Sequence, residues 1–247
     1  WIEIMDGAPQ APPVRPDVAG AAVVPRVTIP QISQAGFHDA FKVLDECLIV
    51  NVPVFGFTYP VMAPGGAYGE NWWQLDSALA VAGAKWANQE FAENVMRGFG
   101  DVQAANPDGR IDLYGGCAMR GQAGDQSSIP RYFEAAWDTA RRTSNAKLRA
   151  EIFDTMRKYL DWWLSPVKRD APSGLITAVF EETTSELDID NMRAQAIAAV
   201  DLNAAVVHAC AVTAKLARHL GRPRDAERYE RVRAELETSI NRYMWDE

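Results

Sequence analysis

Three short stretches carry residue types from which a binding or catalytic site can be built. In YGENWWQLDSALAVAGAKW, residues 68–86, Trp73 and Asp76 stand three apart and so share one face of a helix. A carboxylate beside an aromatic plane suits a sugar: two acceptor oxygens meet hydroxyls, and a flat apolar face meets the ring. Trp72 and Gln74 flank the pair. An acid near a helix start also serves as a local cap, and that reading of Asp76 stays open beside the first.

The second stretch is GLITAVFEETTSELD, residues 174–188, where Glu181 and Glu182 follow an apolar TAVF run. Neighbouring side chains diverge, so at most one of the two faces a given site. A carboxyl held against a dry apolar wall has its pKa raised, which keeps a general acid protonated near neutrality. Cleavage of a glycosidic bond needs such an acid for the leaving oxygen and a second carboxylate across the bond. Helix capping or plain solvation of the glutamates is the competing reading.

The third stretch is AVDLNAAVVHAC, residues 199–210. Here Asp201 reads as the N-cap of a helix starting near Leu202. Asn203 lies about 200° from Asp201 around a helix, so the two do not line one cavity. His208 has no second ligand at metal spacing and reads as structural, and no metal site is expected. Phosphate loops, dinucleotide fingerprints, nucleophile elbows and HExxH are missing from the sequence, which gives no sign of a cofactor.

Helices must position these groups. Phe37, Phe41, Leu44 and Leu48 recur at helical spacing, and further helices are expected at about 70–86, 89–99, 130–142, 146–164, 193–220 and 223–244. Leu148, Ile152, Met156, Tyr159 and Trp163 form one stripe, as an outer amphipathic helix requires. The 193–220 segment is apolar nearly all round and reads as buried on both sides. Gly221 and Pro223 supply a helix stop and a first-turn start. Turn-rich chemistry at 53–69, 101–129 and 165–192 marks long loops, and LIVNVPVF at 48–55 is ambiguous between strand and loop. Residues 1–35 read as an extended, proline-rich lead-in, and residues 36–247 as one helical unit.

Hydrophobic residues make up 48% of the 247 and charged residues 23%, which describes a globular chain. Acidic residues outnumber basic ones 33 to 25, and the basic ones are scattered. That surface repels phosphate backbones, so no nucleic-acid partner is expected, whereas a neutral sugar is compatible. Asp201 and Asn203 interrupt the longest apolar stretch, so no membrane span is expected. Three widely spaced cysteines, Cys47, Cys117 and Cys210, read as free thiols, which leans toward a cytoplasmic setting.

Taken together, NWWQLDSALAVAG, QSSIP (126–130), PSGLITAVFEETTSE and the long stretch from VDLNA to the terminal WDE resemble the trehalase-like glycoside hydrolases. This group includes trehalases, processing α-glucosidase I and mannosylglycerate hydrolases. The resemblance spans about 60–247 and implies an all-α fold, the six-hairpin (α/α) toroid, with about seven of twelve helices readable here. It implies an inverting hydrolase of an α-linked glucoside or related small glycoside. Glu182, or Glu181 in its place, would be the general acid, with the base beyond Glu247. Asp76, Trp72 and Trp73 would bind sugar in the cleaved subsite, with Gln74, Gln126 and Asn203 as further polar contacts. Leu75 stands where the family has a tryptophan, and Ser127, Ser128 and Ile129 depart from its Ser-Gln-Pro-Pro turn. Two other readings stand beside the hydrolase: a non-catalytic carbohydrate-binding or structural helical domain, and a sugar isomerase or lyase on the same fold.

Overall fold

The apolar spacing closes into seven α-helices among the residues that the computed structural model describes, namely 28, 33–49, 58–59, 61–64, 72–86, 88–115, 126–179, 182–183 and 197–245. They are α1 (Gln34–Glu46), α2 (Gln74–Ala84), α3 (Gln89–Ala104), α4 (Tyr132–Arg142), α5 (Ala146–Trp163), α6 (Val200–His219) and α7 (Pro223–Tyr243). Local chemistry sets the turns between α2 and α3, α4 and α5, and α6 and α7. Asn88 caps α3 by accepting from Phe91 N at 3.0 Å, and Asn145 caps α5 by accepting from Leu148 N at 3.0 Å. Gly221, at φ 68°, turns the chain into Pro223, the first residue of α7.

These three hairpins stack as two layers. Helix α2 lies against α4 and α4 against α6, while α3 lies against α5 behind them. Helix α7 joins α5 through Asp161, which accepts from the Tyr229 hydroxyl at 3.0 Å and pairs with Arg228 at 2.8 Å. Every short turn follows an even-numbered helix, and every long connection precedes one. This is an all-α fold, and the three stacked hairpins among the described residues are consistent with an (α/α) toroid.

Aromatic rings fill the space between the layers. Trp72 packs edge-on to Phe99 at 5.5 Å, and Phe99 meets Tyr132 at 4.9 Å. Phe133 stacks on Tyr159 at 5.3 Å, and Tyr159 stacks on Trp162 at 6.0 Å. The expected stripe of Leu148, Ile152, Met156, Tyr159 and Trp163 on α5 is buried throughout. Large rings fill such a volume with few side chains, each burying about 150–250 Å².

Several boundaries differ from the sequence expectations. Helix α2 starts at Gln74 rather than 70, because Trp72–Trp73 (β3) pair antiparallel with Tyr114–Gly115 (β4). The ambiguous 48–55 stretch contains β1 (Leu48–Ile49), paired with β2 (Val61–Met62). Helix α1 starts at Gln34, inside the expected lead-in. Helix α3 runs on to Ala104, where the Gln103 amide donates to Gly109 O and Thr155 O. Helix α6 starts at Val200, so Asp201 is a first-turn residue and not the N-cap. Nor is α6 buried all round: it exposes Ala204, His208 and Lys215. It is long and apolar enough to cross a membrane, with a mean hydropathy of 1.3, yet it packs against α4, α5 and α7 as a core helix.

Candidate active site

The described residues just before α4 and in the loop that follows α5 meet the start of α2, and a buried polar network ties them together. Gln74, the first residue of α2, is fully buried. Its Nε2 donates to Ile111 O at 3.1 Å and to Ser127 Oγ at 3.3 Å. Its Oε1 accepts from Ser128 N at 3.2 Å and from the Tyr159 hydroxyl at 3.1 Å. Both ends of the amide are therefore spent on the protein. Gln74 staples the approach to α2 onto the approach to α4, and it is not placed as an open sugar contact.

Glu182 continues this network. Its carboxyl is fully buried, and its Oε1 accepts from Ser127 N at 3.0 Å. Its Oε2 accepts from Val179 N at 3.0 Å and from the ammonium of Lys168. Lys168, itself buried, lies over the rings of Trp162 and Trp163 at 4.9 and 5.4 Å. Burial pushes the Glu182 carboxyl above the ordinary range, while Lys168 and the two backbone N–H groups pull the other way. All three partners donate, so the side chain acts as an acceptor with both oxygens occupied. Glu181 lies outside the described residues.

Asp76 and Trp73 keep partial access to solvent at the start of α2. Burial raises the Asp76 pKa, opposed by a backbone hydrogen bond at the helix start. Trp72, by contrast, is a core residue against Phe99. Gln126 is half-buried, and its carbonyl accepts from Leu113 N at 3.3 Å. Asn203 is fully buried: its Oδ1 accepts from Ile176 N at 2.8 Å, and its Nδ2 donates to Ile176 O and Ala199 O, each at 2.9 Å. It clamps the loop before Glu182 onto α6, instead of facing a cavity.

Sequence reasoning passed over the opening beside this network. A hollow of about 260 Å³ lies between the N-terminal ends of α4 and α6, lined by Arg131, Glu134, Asp201 and His208 over a floor that includes Pro130 and Ala204. Asp201 there accepts from Thr183 Oγ1 at 2.6 Å, one residue beyond Glu182. His208, expected as a structural residue, is exposed on this wall. One signal was available in the sequence: α2, α4 and α6 each carry an acid in the first turn, namely Asp76, Glu134 and Asp201. Such acids also complement the helix dipole, so their position alone does not mark a site.

Residues 175–247, from the loop bearing Glu182 through α7, match the family model described as Trehalase. The match covers the C-terminal third of the chain, where the chain is similar to trehalases. No curated protein matches the chain in sequence. Among similar solved structures is an α-L-rhamnosidase from Dictyoglumus thermophilum, at a TM-score of 0.44 and 13% identity, covering 64% of this chain. The chain spans 17% of that rhamnosidase's length.

Proposed function

We propose that this chain supplies the acid side of a glycoside hydrolase site for a small α-linked glucoside, with inversion at the anomeric carbon. The acid comes from the Glu181–Glu182 pair, Asp76 and Trp73 contact the sugar, and the base comes from residues beyond Glu247. The observation that carries this reading is a short chain of hydrogen bonds. Glu182 accepts from Ser127 N, Ser127 Oγ accepts from Gln74, and Gln74 stands two residues before Asp76. Glu182 is thus tied to the same end of the fold as Asp76.

Both oxygens of Glu182 are engaged by the protein, which supports its neighbour Glu181 as the proton donor in this reading. In the full-length protein, Glu181→Gln is expected to lose about 10²–10⁴-fold in turnover while keeping its melting temperature and its sugar binding. Glu182→Gln is expected to lose stability first. Loss of turnover in Glu182→Gln at an unchanged melting temperature would move the acid role to Glu182, and full turnover in both variants rejects the pair altogether. Proton NMR of the first product anomer tests inversion, which retention of configuration would exclude.

The occupied state of Glu182 also favours a second reading, a non-catalytic carbohydrate-binding domain. Calorimetric binding of a sugar without turnover, in the full-length protein, supports it.

A further inference from the structure

We infer that a second hollow, between α3 and α5, binds a small alkylammonium ion, with its carbon chain on an apolar floor and its charge on Asp101 and Glu151. The hollow belongs to the layer behind α2, α4 and α6, and the inference does not rest on the hydrolase reading.

Gly100 is the residue that points to a ligand. It sits inside α3 and lines the hollow, although glycine is less favourable than alanine within a helix. Packing does not require it. Among the described residues an added Cβ would meet one atom within 4 Å, Thr155 Oγ1 at 3.7 Å, which is an ordinary contact. The missing side chain instead keeps open a hollow of about 230 Å³, where an occupant can approach the helix backbone closely.

The lining defines the class of occupant. Met96, Leu148 and Ile152 are buried and give an apolar surface. Asp101 Oδ2 accepts from Thr58 N at 2.7 Å and from Tyr59 N at 3.3 Å, which holds Tyr59 in the wall. Asp101 Oδ1 has no partner among the described residues. Glu151 is exposed, and its one ion pair among the described residues, with Lys147, is long at 3.7 Å. Arg97, the single cation of the wall, already donates to Asn94 Oδ1 at 2.8 Å and lies over the Tyr59 ring at 5.4 Å. The uncommitted charge is therefore negative, and it selects a positive ligand. A bare hard metal ion does not suit the hollow, because such ions ask for about six to eight oxygen ligands and three of the lining side chains are apolar. The volume lies below the roughly 300–1,000 Å³ of drug-sized pockets, which suits one short chain. A free amine and a lysine side chain of a partner protein offer this same group.

The test is an NMR titration of the full-length protein with pentylammonium chloride. Pentanol serves as the uncharged match, and N-acetyl-lysine methylamide as the side-chain form. Pentylammonium is expected to shift the amides of Gly100 and Asp101 with a Kd of about 1–10 mM. Pentanol should bind about tenfold more weakly, because it lacks the charge. Asp101→Asn keeps an acceptor for Thr58 and Tyr59 but removes the charge, and should weaken pentylammonium about tenfold. Glu151→Gln, on an exposed side chain, repeats this loss where folding is not at stake. Gly100→Leu fills the hollow and should abolish the shifts, whereas Gly100→Ala should raise the melting temperature. Binding of the lysine derivative more tightly than pentylammonium supports the hollow with a partner's side chain as the source. Absence of saturable shifts with either amine, equal binding of pentanol, or full affinity in both charge variants overturns the inference.

Discussion

The ammonium of Lys168 meets Oε2 of Glu182 inside the protein, while the same ammonium lies over the rings of Trp162 and Trp163. This contact holds the loop after α5 to the loop before α6, and the remaining carboxylate oxygen carries the tie on to Ser127. Removing one member of a buried pair strands the other charge without a partner. Lys168→Met and Glu182→Gln are each expected to cost about 3–5 kcal/mol in chemical denaturation. The double variant should cost clearly less than the sum of the two, and additivity within about 0.5 kcal/mol would show that the pair is not coupled.

Asp76 links stability to pH. Burial raises its pKa, so the folded protein binds that proton more tightly than the unfolded chain does. Where the folded state holds more protons, stability falls as pH rises. The fall should begin near the ordinary aspartate value and end at the higher folded one. Asp76→Asn is expected to flatten this slope when denaturation midpoints are measured across the acidic range. An unchanged slope places its origin in other groups.

Two glycines at positive φ separate conformational strain from collision. Gly109 has φ 87°, and an added Cβ would stand 2.9 Å from Lys158 O; Gly221 has φ 68° with open space around it. Gly221→Ala should cost about 1–2 kcal/mol, the usual penalty for the left-handed region. Gly109→Ala should cost that and more, because backbone of α5 must move. Equal losses in thermal denaturation would mean that the contact with Lys158 is relieved without cost.

Asn203 should prove a structural residue. Asn203→Ala leaves the buried N–H and C=O of Ile176 without their amide partner, at about 1–3 kcal/mol for each unsatisfied group. Hydrogen exchange at Ile176 should quicken in this variant more than exchange in the middle of α5. Uniform quickening would point to global unfolding as the route.

The helices were legible because the 3.6-residue spacing is local, and α5 shows it most fully, every residue of its expected stripe being buried. Boundaries slipped where a distant partner decides. Trp72 and Trp73 would extend α2, but pairing with Tyr114–Gly115 holds them as a strand. The expected pairing of Trp73 and Asp76 on one helical face fails for the same reason: Asp76 lies in the first turn of α2, but Trp73 precedes the helix in extended backbone. Site chemistry was illegible where long separations close. Lys168 looked like one scattered basic residue, and Gln74 like a polar neighbour of two tryptophans. Their roles depend on Glu182 and Ser127, which the fold delivers from 14 and 53 residues away.

The Trp162–Trp163 corner has a spectroscopic consequence. An ammonium held over an indole perturbs its excited state, so the emission of these two residues senses whether Lys168 sits in place. The molecule thereby contains a built-in optical gauge of its acidic loop, readable in a fluorimeter as the difference between the natural protein and Lys168→Met, without any attached dye.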